Sequence, residues 1–301
     1  MDEGRQTKEM KESSLVSAKR SSLVLRNRGH MDKLLEEKWE RLKEIFEGMG
    51  RVVVAYSGGV DSTLLLKVAK DVLGDENILA VTALSPLYPE REVAGAKRIT
   101  ETLKVRHVLI ESNELEIAEF VKNPSNRCYY CKRELFGKLL NIAAGESIPF
   151  VVEGSTLDDD KDHRPGRVAV SELGIRSPLK EAMLTKSDVR ELSRGSGLET
   201  WDKPSFACLA SRFPYGEEID PRGLRMVDEA EDFLFGLGFR QVRVRHYQTL
   251  ARIEVFQEEM GRLLNGSLRE KVVSQLKKIG YKYVTLDLQG FRSGSMNEVL
   301  G

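Results

Sequence analysis

Cysteine is scarce in this chain, and its count is odd: Cys128, Cys131 and Cys208 are all there is. Three thiols do not pair off into a disulfide framework, so a reducing, cytoplasmic setting is expected. Long apolar runs are missing as well. None approaches the roughly 18 residues that a membrane-spanning helix needs, and the polar N-terminus lacks the apolar stretch of a secretory signal. Net charge is absent too, with 47 basic residues against 47 acidic ones. Neutrality removes the overall basic footprint of a nucleic-acid-binding protein, so neither membrane nor nucleic acid is an expected partner. No internal repeat or low-complexity tract is visible, which excludes a solenoid.

What is present suits a globular enzyme. The 301 residues allow one large or two ordinary domains, and a hydrophobic content of 41 % supports a sizeable core. The chain is organised around the stretch from Val52 to Ser62. Its β-branched first half suits a buried parallel strand. Gly58 and Gly59 then permit a tight turn and close backbone approach to a ligand. A helix follows, with Leu64, Leu65, Val68, Ala69 and Val72 on one face. Strand, glycine turn and helix start together aim backbone N–H groups at one point, which favours an anion, most often phosphate. The lysine-bearing pattern G-x-x-x-x-G-K-[ST] is missing, so this is a different kind of nucleotide loop.

Strands are predicted over 52–56, 78–84, 105–110 and 149–153, alternating with helices over 90–103, 115–121 and 132–144. That alternation predicts a parallel sheet with helices on both faces, with ligands beyond the carboxyl ends of the strands. The Ser57 loop, Thr82, Gly154 and Ser155 fall at such ends. Residues 1–30 read as a disordered or weakly helical extension, and residues 31–216 as the α/β domain. Residues 217–301, with a helix, two strands, another helix and a final strand, read as a smaller α+β domain.

The cysteines leave four readings open: buried structural thiols, a redox pair at Cys128 and Cys131, structural zinc with His163 as fourth ligand, or three thiolates on an iron–sulfur cluster. For His107 and His246 the sequence offers nothing beyond strand-edge residues, and Glu231 reads first as helical surface charge.

The run Ser57-Gly58-Gly59-Val60-Asp61-Ser62 resembles the pyrophosphate loop of the ATP pyrophosphatase superfamily. Over about residues 34–300 the chain resembles the LarE family of sulfur transferases. The match is carried by 127–132, 153–155, 164–166, 176–179, 201–204, 208–216, 243–245 and 289–298. The resemblance implies adenylation of a carboxylate of pyridinium-3,5-biscarboxylic acid mononucleotide and its conversion to a thiocarboxylate, in the biosynthesis of a nickel-pincer nucleotide. It implies ATP and Mg²⁺ held by Ala55, Tyr56, Ser57, Gly58, Gly59, Val60, Asp61, Ser62, Thr82, Gly154 and Ser155. Cys208, Cys128, Cys131, Ser211 and Arg212 would form the catalytic group, with the three thiolates on a 4Fe–4S cluster fed by a sulfide donor. Arg212, Arg243, Arg245 and Arg292 would meet the anionic substrate, since guanidinium forks suit carboxylate and phosphate alike. Glu231 and Glu254 match family carboxylates that bind a divalent metal, and a homo-oligomer is implied. One branch of the family instead sacrifices the sulfur of its single cysteine, at the position of Cys208. A tRNA thiolase on the same loop and a nucleotide-binding zinc protein without catalysis are the competing functions.

Overall fold

The computed structural model describes residues 32–161 and 165–300. The expected extension over 1–30, and His163 of the zinc reading, lie outside them. The organising strand is β1 (Val52–Ala55), flanked by β2 (Ile78–Leu84) and β4 (Phe150–Val152), with β3 (His107–Glu111) outside β2. All neighbours are parallel, in the order β3-β2-β1-β4. Val53 sits in register with Leu79 and Val151, and these three face one apolar layer with Phe136, Leu139 and Ala143 of the helix Arg127–Gly145. Val52 and Val54 face the opposite layer, built on the helices Lys33–Met49 and Val60–Leu73. Side-chain alternation along a strand that is buried on both faces is what turns a continuous valine run into the centre of a three-layer fold.

A second sheet pairs β5 (Val242–Tyr247) antiparallel with β6 (Leu250–Val255), and β6 parallel with β7 (Tyr283–Leu286). The helices Pro221–Gly236 and Gly266–Ile279 cover one face of it. Asp220 starts the first of these, accepting from the Gly223 N–H at 2.9 Å, with Pro221 in the first turn. Thr185 opens the helix Lys186–Gly195 by a reciprocal capping box with Asp188. The two sheets are joined by a smaller apolar cluster of Leu87, Phe120, Leu209, Ala210, Phe213, Ile219, Leu224 and Val227.

One boundary differs in a way that matters. The helix predicted from 132 begins at Arg127, so Cys128 and Cys131 lie on its first turns and not in the preceding loop. The polar run Asn126-Arg127 hid the helix start. Arg127 is nevertheless buried, its guanidinium donating to Asn123 Oδ1 at 2.9 Å and lying over the Tyr215 ring. The helices Gly166–Glu172, Pro178–Glu181 and Met260–Leu264 were not anticipated either, being too short for a period to show.

Candidate active site

The glycine turn after β1 supplies the first half of the site. Gly58 has φ of 69°, and a Cβ there would lie 3.1 Å from the Ala96 Cβ, so both conformation and space require glycine. Gly59 is the residue before the helix Val60–Leu73 and has no side chain to cap it. The hydroxyls of Ser57 and Ser62 meet at 3.0 Å across the turn. The loop after β4 closes in from the other side: a Cβ on Gly154 would come within 3.1 Å of the Ser62 nitrogen. Ser155 donates its N–H to Glu153 Oε1 at 3.1 Å. Against the burial that would raise it, Lys132 and hydrogen bonds from Ser155 and Ser177 hold the Glu153 carboxyl below its usual range.

Asp61 lies in the first turn of the helix Val60–Leu73 that follows the glycine turn. Its Oδ2 pairs with Lys186, while Oδ1 is buried with no hydrogen-bond partner. Burial raises the Asp61 carboxyl above its ordinary value, opposed by Lys186. Lys203 donates to the Gly58 carbonyl at 3.0 Å and pairs with Glu92 at 2.8 Å. Two lysines distant in sequence therefore stand at the glycine turn, and the sequence reading assigned neither a role. Beside the turn lies a cavity of about 120 Å³ that Ala55, Tyr56, Ser57, Thr82, Tyr88 and Leu139 help to line. The Thr82 hydroxyl donates to the Tyr56 carbonyl at 2.7 Å and stands 2.8 Å from His107 Nε2, which places His107 behind the cavity floor. Its imidazole is pushed down by burial and by Lys97.

The second half of the site is built on residues 203–212. From Lys203 at the glycine turn this segment runs past Phe206 to Cys208 and on to Arg212. Cys208 precedes a short 3₁₀ turn, Leu209–Arg212. Cys131 and Cys208 pack against the apolar cluster that joins the two sheets. Cys128 is exposed and the other two are partly covered. Burial drives the Cys131 thiol well up, reinforced by Glu114, Cys208 and Cys128; Cys128 lies one helical turn before Cys131. Among the described residues no group of three or more cysteine, histidine or acidic side chains sits at metal-binding distance.

The arginines expected to meet substrate divide by environment. Arg212 has no exposed surface and makes a two-bond pair with Glu231 at 2.8 and 2.7 Å. It also donates to the Cys208 carbonyl and to Ser211 Oγ, both at 2.9 Å. Glu231 is thus not surface charge. It lies fully buried in the helix Pro221–Gly236 and accepts the Val244 N–H at 2.9 Å as well. Its neighbours on the helix, Val227, Ala230 and Leu234, form the buried stripe, a signal the sequence did contain. Arg245 is buried and paired with Glu254 by two bonds of 2.8 Å, and donates to the Ser211 carbonyl at 2.7 Å. Both carboxylates expected to hold a metal are therefore engaged by arginines. Arg243 differs. It is buried, donates to the Ser205 carbonyl at 3.3 Å, and lies over the rings of Phe206 and Phe291. It has no carboxylate partner within ion-pair distance among the described residues, and burial together with Arg212 and Arg245 pushes its guanidinium down. An unneutralised buried cation is a ready anion site. Arg292 stands apart, partly exposed and paired with Glu298.

Comparison with known proteins fits this geometry. The NAD synthase family model matches residues 35–135. A pyridinium-3,5-bisthiocarboxylic acid mononucleotide synthase of Lactiplantibacillus plantarum is 40 % identical over 266 residues, covering 88 % of this chain and 96 % of that protein. An uncharacterized protein of Synechocystis sp., slr1717, is 44 % identical over 267 residues, covering 89 % of this chain and 99 % of that protein. An argininosuccinate synthase of Natronomonas pharaonis matches more distantly, at 26 % over 58 % of this chain and 47 % of that protein.

Proposed function

The chain belongs to the LarE family, and from that premise we propose that it is an ATP-dependent sulfur transferase acting on pyridinium-3,5-biscarboxylic acid mononucleotide. The observation that carries this reading is the course of residues 203–212, which ties the glycine turn to Cys208 through Lys203 and ends on Arg212 in the arginine group. A nucleotide-activating loop, a sulfur source and an anion-binding surface are thereby neighbours.

A substrate carboxylate oxygen attacks the α-phosphorus of ATP, the α–β anhydride bond breaks, and pyrophosphate leaves. The turn formed by Ser57, Gly58, Gly59 and Ser62 offers backbone N–H groups at a helix start to receive the phosphates, and Lys186 and Lys203 add positive charge. Asp61, with one carboxylate oxygen unengaged, suits a Mg²⁺ ion; when bound, that ion shields phosphate charge. Hydrosulfide then attacks the acyl carbon and the bond to the AMP oxygen breaks. AMP departs with the electron pair, and the S–H proton passes to solvent, leaving a thiocarboxylate. Arg243 faces this chemistry as the guanidinium without a carboxylate of its own, and receives substrate phosphate or carboxylate. A 4Fe–4S cluster would be held by Cys128, Cys131 and Cys208, whose side chains would have to draw together, since no such group stands at metal-binding distance among the described residues. When bound, that cluster supplies a place to hold external sulfide.

The test is anaerobic purification, an absorption spectrum with iron and sulfide assay, and reaction with ATP, Mg²⁺, the dicarboxylate mononucleotide and added sulfide. The expected result is a brown protein that forms AMP and thiocarboxylate over repeated turnovers, keeps Cys208 intact by mass, and is impaired by Cys128→Ala or Cys131→Ala. Dehydroalanine at position 208, with full single-turnover activity in both variants, would overturn the cluster reading and assign the sacrificial chemistry. Absence of AMP and thiocarboxylate altogether would overturn the transferase itself.

A further inference from the structure

Arg212 and Arg245 spend their guanidinium forks on Glu231 and Glu254. Arg243, on β5 like Arg245, is buried but held differently. Its Nη2 donates to the Ser205 carbonyl at 3.3 Å and its Nη1 to the Ala207 carbonyl at 3.5 Å, both long for bonds from a charged donor. Its guanidinium carbon lies 5.7 Å from the centre of the Phe206 ring and 5.5 Å from that of Phe291. Both distances fall in the range at which an aromatic face attracts a cation. Ring contacts of this kind orient the guanidinium plane and consume none of its N–H donors.

The two rings come from different segments. Phe206 lies two residues before Cys208, and its neighbours Ser205 and Ala207 are exposed. Phe291 belongs to the segment over 289–298 that follows β7. A turn closed by the Gly290 N–H, which donates to the Asp287 carbonyl at 3.1 Å, brings this segment back to the sheet. Gly290 has φ of 70°, and a Cβ there would lie 2.9 Å from the Val255 carbonyl oxygen, so the turn admits only glycine. The Phe291 N–H donates to that same carbonyl at 2.8 Å, and its ring meets Phe256 edge to face at 5.9 Å. Phe291 is thereby fixed at the end of β6, beside Arg243. Further along, Ser295 Oγ accepts from Arg245 at 2.8 Å, and Asn297 Oδ1 accepts from the Tyr215 hydroxyl at 3.0 Å. One C-terminal segment thus reaches Arg243, Arg245 and Tyr215 in succession.

We propose that Phe291 is a positioning residue for substrate capture: together with Phe206 it holds the Arg243 guanidinium by ring contact, so that the N–H fork stays open to an oxyanion of the substrate. Both rings act through Arg243. A carboxylate in their place would fix the guanidinium but close its fork, as Glu231 and Glu254 do for Arg212 and Arg245. The anion site is therefore completed by the C-terminal segment, which docks through Gly290 and Phe291. This rests on the reading that Arg243 receives the substrate anion.

Phe291→Leu keeps an apolar side chain and removes the aromatic face, whereas Phe291→Tyr keeps the face. The Kd for the dicarboxylate mononucleotide, measured by titration calorimetry without ATP, should rise about three- to tenfold in Phe291→Leu. In Phe291→Tyr it should stay within about twofold of wild type, and the KM for ATP should stay within about twofold in both variants. In an Arg243→Ala background Phe291→Leu should add nothing, because its effect passes through the guanidinium. Unchanged affinity in Phe291→Leu, or an equal loss in both backgrounds, would overturn the proposal. A second readout needs no substrate. Phenylglyoxal modification of Arg243, followed by peptide mass spectrometry, should run several-fold faster in Phe291→Leu than in wild type or Phe291→Tyr, and equal rates would also overturn the proposal. Weakened binding in Arg243→Ala with none in Phe291→Leu would refute the role of Phe291 alone. Binding by Arg243→Ala as tight as wild type would remove the anion-site reading itself, and the proposal with it.

Discussion

Glu231→Gln removes one negative charge from the most deeply buried ion pair at the site. Arg212 and Glu231 have no exposed side-chain surface, and bonds of 2.8 and 2.7 Å join them. Glu231 Oε1 also accepts the Val244 N–H, so the carboxylate anchors β5 to the helix Pro221–Gly236. Removing one partner of a buried pair costs about 3–5 kcal/mol, because the other charge is left uncompensated. Arg212 retains its bonds to the Cys208 carbonyl and Ser211 Oγ, and glutamine keeps one acceptor oxygen. The loss therefore falls near the lower end, about 3 kcal/mol. At roughly 2–4 °C per kcal/mol for a chain of this size, the melting temperature should drop by about 6–12 °C. Calorimetry and urea unfolding measure it directly. The double variant Arg212→Met with Glu231→Leu should recover part of the loss, since it removes both charges of the pair but leaves the Val244 N–H without its acceptor. A loss below about 1 kcal/mol in the single variant, within the range of an exposed pair, would refute the argument. So would a double variant less stable than the sum of its parts. The same experiment tests the metal role expected of Glu231: if excess Mg²⁺ raises the melting temperature of wild type and not of Glu231→Gln, the carboxylate is a ligand after all.

Asp228 carries a different signature. Burial, with Asp232 and Glu231 nearby, pushes its carboxyl up from 3.8 to about 6 despite Arg91. The folded state then binds the proton more tightly than the unfolded chain does, so this group's contribution to stability falls as pH rises from about 4 to about 6. Asp228→Asn should flatten that part of the urea-unfolding profile; a difference from wild type that is the same at both ends would contradict it. Arg243→Ala should weaken binding of the dicarboxylate mononucleotide by roughly 1.5–3 kcal/mol without lowering the melting temperature, because it removes a buried cation that lacks a carboxylate. Arg245→Ala should instead destabilise the fold by orphaning Glu254, and equal melting temperatures for the two variants would erase the distinction.

Local pattern made much of the fold legible. The valine run of β1, the glycine turn and the apolar face of the next helix all lie within one stretch, and each is set by backbone geometry over a few residues. The helix Glu90–Leu103 was legible for the same reason. The loop-to-helix error at Cys128 arose because Arg127 is satisfied by Asn123 and Tyr215, partners that its own polarity does not announce.

By itself, the sequence determined a strand–glycine–helix nucleotide loop in a parallel sheet, because those signals are periodic and contiguous. It also specified which arginines and cysteines exist, but not their states. Only the tertiary structure decided that Arg212 and Arg245 are neutralised while Arg243 is not, since that depends on which carboxylates β5, β6 and the helix Pro221–Gly236 bring to them. It also decided that Lys186 and Lys203 stand at the glycine turn. Each comes from a segment remote from that turn, and charge and hydrogen bonding act across space, where sequence separation has no bearing on strength.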